Sequence, residues 1–174
     1  MGQLNFAQNF NYIPSQFKII SNGTLSFVPF ELADSISFLT MNLGISNSSA
    51  NMTYTFSVGL YSLTGSSLSL ANSISASISR SNSVRGYFSL TATSAAQNIT
   101  PGNWWFGILV STGGNSDIEL IGQTTVNPLN AFPGAFIGGR MTASTAALPA
   151  SYATSDLDTT GDDAMNIPMI ILSS

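Results

Sequence analysis

The sequence predicts an all-β chain: a single antiparallel β-sandwich or jelly roll with an extended N-terminal arm. Three observations carry that reading. Apolar and small polar residues alternate with a period of two over several long stretches. Turn residues recur between those stretches, spaced roughly 10 to 18 residues apart. The charged helix formers are almost absent, with only 4 Lys and Arg and 8 Asp and Glu in 174 residues.

Residues 1–21 mix Asn and Gln with Phe6, Phe10, Tyr12 and Phe17. Such a segment is too polar for a core of its own, yet its aromatics need a surface. It reads as an arm that packs along its own domain or a neighbouring subunit, which leaves residues 22–174 as the sandwich domain. A short helical turn is expected near Pro29 to Ala33. The stretch Ser35 to Ser46 reads as a strand, apolar enough to be covered on both faces.

Met52, Tyr54, Phe56, Val58 and Leu60 then alternate with Thr53, Thr55, Ser57, Gly59 and Tyr61. That pattern puts one strand face on a core and the other outward. Ile74, Ala76 and Ile78 alternate with four serines in the same way, and Phe88, Leu90 and Ala92 make a third set. Trp104, Phe106, Ile108 and Val110 form a fourth, opposite Trp105, Gly107 and Leu109. Ile118, Leu120 and Gly122 form a weaker fifth. Thr64-Gly65-Ser66, Asn82, Pro101-Gly102-Asn103 and Gly113-Gly114-Asn115 supply the turns between them. Residues 123–163 are rich in Thr, Ala, Ser, Gly and Pro, so they read as long loops around a short strand at Ala135 to Met141. Ile167 to Leu172 closes the chain as a last strand.

Composition removes whole classes of function. There is no Cys and no His, so disulfides, thiol nucleophiles, Cys or His metal sites and His-containing triads are excluded. Four basic residues (Lys18, Arg80, Arg85, Arg140) cannot neutralise many phosphates, so no nucleic-acid partner is expected. A net charge of −4 argues against an anionic membrane surface, and the apolar runs fall short of the ~20 residues of a membrane helix. The N-terminus lacks a basic region followed by an apolar one, so synthesis in a host cytoplasm without a signal peptide is expected. Charged residues are only 7% of the chain, whereas 28 Ser, 16 Thr and 15 Asn make up about a third. The surface is therefore hydrated by neutral groups.

Few residues invite chemistry. Asp156, Asp158 and Thr160 before Gly161 resemble the start of a calcium loop, but the later bidentate acid is missing, its position being Ile167. The plainer reading is a polar turn, and neither metal nor cofactor is expected. Asp117 and Glu119 share a strand face, with carboxyls roughly 6 to 8 Å apart, a glycosidase-like separation. Nothing else suggests a sugar-cleaving cleft, so the pair reads as a solvated strand face and no enzyme is expected. Trp104 belongs with the core. Trp105 and Tyr61 point the other way, where they would serve as a glycan-stacking platform or interface anchors unless a loop covers them.

Three phrases carry a resemblance. The first is Val58-Gly-Leu-Tyr-Ser-Leu-Thr-Gly-Ser-Ser-Leu-Ser-Leu-Ala-Asn-Ser73. The second is Phe88-Ser-Leu-Thr-Ala-Thr followed by Ile99-Thr-Pro-Gly-Asn-Trp-Trp-Phe-Gly. The third is Leu148-Pro-Ala-Ser with Ser155-Asp-Leu-Asp and a closing Ile-Pro-Met-Ile-Ile-Leu-Ser. Together, over about residues 24–174, they resemble the β-sandwich domains of tailed-bacteriophage virion proteins, which occur in head decoration (cement) proteins, head fibres and fibre tips. The resemblance implies a virion structural protein on the capsid surface. Its partners would be the major capsid protein and further copies of itself, as a homotrimer at the local three-fold sites of a shell. Phe6, Phe10, Tyr12 and Phe17 would be the subunit and capsid contacts. The alternative is a receptor- or glycan-binding module of a head or tail fibre. Fibre versions usually carry a repetitive stem before this domain, and the short arm here favours the decoration role.

Overall fold

A computed structural model describes residues 4–5, 16–20, 23–47, 52–80, 86–91, 96–112, 118–124, 139–141, 146–158, 166–168 and 170–173. Within them the chain is all-β, with antiparallel sheets facing one another as layers of a sandwich.

The first sheet joins β1 (Leu4–Asn5), β16 (Ile170–Ser173), β5 (Thr40–Asn47), β11 (Ile118–Thr124) and β15 (Asn166–Pro168) in that order. In addition, β2 (Gln16–Ile20) pairs with β11 and β8 (Gly86–Thr91) with β5. The expected closing strand is thus divided between two partners. β15 lies against β11, with Pro168 opposite Gly122, and β16 lies against β5, with Ile170 opposite Leu43. Part of the N-terminal arm belongs to this sheet: Phe17 stands opposite Ile121 in the β2–β11 ladder.

The second sheet has the order β13 (Ser151–Ala153), β7 (Ser67–Arg80), β6 (Met52–Thr64), β10 (Gly102–Thr112), β3 (Leu25–Leu32), β12 (Gly139–Met141) and β14 (Leu157–Asp158). Among the described residues a separate two-stranded piece pairs β4 (Ile36–Phe38) with β9 (Gln97–Ile99). No helical turn forms near Pro29. β3 runs straight through it, with Pro29 opposite Trp105. On its other side β3 meets β12 only at Ser26 and Phe27, so the missing N–H of Pro29 falls where the described residues place no partner.

The main core lies between the two sheets. Val28, Phe30 and Leu32 of β3, Tyr54, Phe56, Val58 and Leu60 of β6, and Phe106, Ile108 and Val110 of β10 pack against Met41, Leu43 and Leu172 of the first sheet. Phe30 and Phe106 stack with centroids 4.2 Å apart. Trp104 joins the rim of this core, and its indole N–H donates to the Thr100 carbonyl at 2.9 Å.

The β6–β7 hairpin turns on two residues, Gly65 and Ser66, between the paired Thr64 and Ser67. Gly65 has φ +62°, the left-handed conformation that primed two-residue turns require. A Cβ there meets nothing within 4 Å, so its cost is conformational. Gly65→Ala is expected to lose about 1 kcal/mol of unfolding free energy in a urea titration, with an unchanged m value.

Candidate functional site: the outer face of the second sheet

One bulge decides which residues reach the outer face. Between β6 and β7 the register slips, so that Leu60 faces Asn72 while Tyr61 faces Leu70. The extra residue, Ala71, reverses the parity of β7. Beyond it Ile74 faces the main core; before it Leu68 and Leu70 face outward with Tyr61.

The outward residues form a second core. Leu25 and Phe27 of β3, Tyr61 of β6, Leu68 of β7 and Trp105 and Leu109 of β10 pack with Leu157, and Leu70, Leu148 and Tyr152 close the edge. Geometry shows how the sheet holds them. β13 and β14 stand at opposite ends of the sheet order, six strand spacings apart. Laid flat they would be separated by about 29 Å. Yet only the 3-10 turn Thr154–Asp156 connects them, a link that reaches about 14 Å. The sheet therefore curls into a half-barrel around the second core, and segment 146–158 closes it.

Hydrogen bonds fix the closure. The Tyr61 hydroxyl donates to the Pro149 carbonyl at 3.0 Å, and the Leu70 N–H donates to the Ala150 carbonyl at 2.9 Å. The Thr154 N–H and hydroxyl both donate to the Ser66 carbonyl, at 2.9 and 3.0 Å. The Tyr152 hydroxyl donates to the Asp156 carbonyl at 3.0 Å.

Two glycines make room for the central ring. Gly59 and Gly107 are cross-strand partners two residues along from the Tyr61–Trp105 pair. A Cβ on Gly107 would lie 2.6 Å from Tyr61 Cε2, and one on Gly59 would lie 2.7 Å from the same atom. The Cε2 edge of the Tyr61 ring thus occupies the space that side chains would take at both glycines, and Phe27 packs against it in a T-shaped arrangement with centroids 5.1 Å apart. Neither glycine stands out in the sequence as a functional residue. The available signal is their position two residues from Tyr61 and Trp105 on the same strand face.

The aromatic platform expected from Tyr61 and Trp105 is consequently not a surface. Both residues point away from the main core, but Tyr61 is 0% exposed and Trp105 is 2% exposed. A glycan could not stack on either ring without removal of segment 146–158. Burial pushes the Tyr61 phenol well above its ordinary value. The unfolded phenol ionises near 10, whereas the folded one stays neutral beyond that. Its contribution to stability is therefore complete below about pH 10 and is lost as the pH climbs from there towards the folded value. Tyr61→Phe is expected to cost about 1 kcal/mol at neutral pH, for the lost hydrogen bond. It should also flatten the fall in denaturant midpoint above pH 10 relative to the parent chain.

Farther along β6 and β7 the outer face is open and wholly neutral. Thr53 and Ser79, Thr55 and Ser77, and Ser57 and Ser75 join hydroxyl to hydroxyl across the strands at 2.9, 2.8 and 3.1 Å. The Ser75 hydroxyl also reaches the Phe56 carbonyl at 3.1 Å. These exposed pairs contribute little stability each, about 0.2 to 1 kcal/mol. They do fix their own side chains, giving a surface of ordered hydroxyls without charge.

The remaining candidates are dispersed. Phe6, Phe10, Tyr12 and Asp117 lie outside the described residues, as do Thr160 and Gly161. Glu119 stands on β11 opposite Ile19 and Asn47. Asp156 ends the 3-10 turn, and Asp158 stands opposite Arg140 in the β12–β14 ladder. Among the described residues no group of three or more acidic side chains is arranged to hold a metal ion, and no helix is long and apolar enough to cross a membrane. Comparison with family models, with curated proteins and with solved structures finds no match to this chain.

Proposed function

We propose that this chain is a structural protein of a tailed-bacteriophage virion: a non-enzymatic capsid decoration (cement) protein. It would lie on the major capsid protein lattice and add contacts between subunits, gathered as a homotrimer about local three-fold axes. The observation that carries this reading is the finish of the second sheet. Its large outward aromatics are sealed into a second core, and the exposed outer face of β6 and β7 is an interlocked array of Ser and Thr hydroxyls. Such a surface suits many copies packed side by side. It carries no charge to repel a neighbour, and its contacts change little with ionic strength. The sequence phrases that resemble those of virion β-sandwiches favour the same reading.

On this reading Phe6, Phe10, Tyr12 and Phe17 supply apolar contact with the capsid or a neighbouring subunit. Interfaces of about 800 Å² per partner, repeated over a shell, stabilise it by mass action. The test is immunogold electron microscopy of purified particles with antibody to this chain. Gold over the head faces is the expected result. Gold confined to fibre or tail tips would transfer the assignment to receptor binding, and unlabelled particles would end the virion reading. A Phe6→Ser/Phe10→Ser/Tyr12→Ser variant is expected to keep its thermal midpoint but to lose attachment to particles.

A further inference from the structure

The edge of β7 that no described strand pairs beyond Leu70 has a sequence suited to pairing with itself. β6 occupies one side of β7 along its whole length. On the other side β13 pairs only with Ser67–Ser69, and Leu70 is bonded to Ala150. From Ala71 to Arg80 no described strand pairs with that second side. Exposed edges are ordinarily guarded by proline, a charged side chain or a bulge. Ala71 to Ser79 contains neither proline nor charge, and the one bulge lies at its start, so Asn72 to Ser79 keep one unbroken register with β6.

The segment Ser73-Ile74-Ser75-Ala76-Ser77-Ile78-Ser79 reads identically in both directions about Ala76. Antiparallel pairing of two copies centred on Ala76 therefore matches every position. Ser73 stands opposite Ser79, Ile74 opposite Ile78, Ser75 opposite Ser77, and Ala76 opposite itself. Strand alternation then keeps all the serines on the outer face and all the apolar residues on the other. The serines already form hydroxyl pairs with β6, so pairing would continue that array across four strands. Asn72 and Arg80 close the matched stretch at each end, and it begins just beyond the residues that β13 covers.

We infer that two copies of this chain associate through β7, edge to edge, about a two-fold axis at Ala76. The contact is isologous, and it holds whatever surface the chain attaches to. Sedimentation equilibrium of the full chain free of capsid, where the three-fold gathering on the lattice is absent, is expected to give twice the 18.2 kDa of one copy. Ser75→Lys/Ser77→Lys sets like charges opposite one another at both flanking positions and should return the mass to that of one copy. The chain has no cysteine, so disulfide trapping reads the register without background. A mixture of Ser75→Cys and Ser77→Cys chains should cross-link under mild oxidation. Either variant alone should do so at least tenfold less. If the lysine variant does not fold, judged by its circular dichroism, the cysteine pair still decides. A native chain that stays at single-copy mass at 100 µM would overturn the inference. So would equal cross-linking of all three cysteine samples, or an oligomer in which the mixed pair fails to cross-link.

Discussion

Tyr61→Ala is expected to cost about 3 to 5 kcal/mol, read as a lowered urea midpoint at constant m. The loss has several sources. The ring is fully buried, so its removal leaves a cavity between Phe27 and the backbone of Gly59 and Gly107. The Pro149 carbonyl loses its donor, and segment 146–158 loses a central tether. A marginally stable domain has only about 5 to 15 kcal/mol in total, so this one change removes a large share. Gly107→Ala should itself cost about 1 to 3 kcal/mol, because its Cβ would lie 2.6 Å from a ring edge that cannot retreat. In the Tyr61→Ala background the larger part of that penalty should go with the ring, leaving the adjustment that Phe27 Cε1, 3.2 Å from the new Cβ, still has to make. A double-mutant cycle measures this coupling. Additive costs would show that the ring does not lie over the glycine.

Phe106→Ala is the second large effect, expected at about 3 to 5 kcal/mol on the opposite side of the same sheet. Phe106 is fully buried in the main core, stacked on Phe30 at 4.2 Å and flanked in register by Val28 and Leu60. Phe106→Leu keeps most of the volume and should cost about 1 kcal/mol. Chemical denaturation of the two variants separates cavity formation from loss of the aromatic contact. Because Phe106 and Tyr61 lie in different cores on opposite faces, their alanine variants should combine additively, within about 0.5 kcal/mol.

Much of the fold is legible in the sequence where one strand face is polar. Thr53, Thr55 and Ser57 against Tyr54, Phe56 and Val58 announce β6, and the serines announce β7. β3 is hidden because it is buried on both faces. Leu25-Ser-Phe-Val-Pro-Phe-Glu-Leu32 shows no alternation, and Pro29 imitates a turn. The bulge hides more, since the parity read forward from Ser73 cannot be carried back across Ala71 to Leu68 and Leu70. The candidate site was half visible. Tyr61 and Trp105 sit on the outward face that alternation gives them, but their cover comes from residues 146–158. That segment offers only Leu148, Tyr152 and Leu157 as large apolar groups and looks like loop. The clue lay in the sum: Tyr61, Trp105 and Leu109 on adjacent outward faces are too much apolar surface to leave in water.

The curl of the second sheet also sets a clock. β10 is the middle strand of seven, with β6 and β3 bonded to its two edges and a core against each face. Solvent deuterons reach its central amides only when ladders on both sides and packing on both faces have opened together. Local fraying at the ends of the sheet does not achieve that. Exchange at Phe106 to Leu109 should therefore proceed only through unfolding of the whole sheet, the slowest event in the molecule, whereas amides in the short strands at the ends of the sheet exchange early.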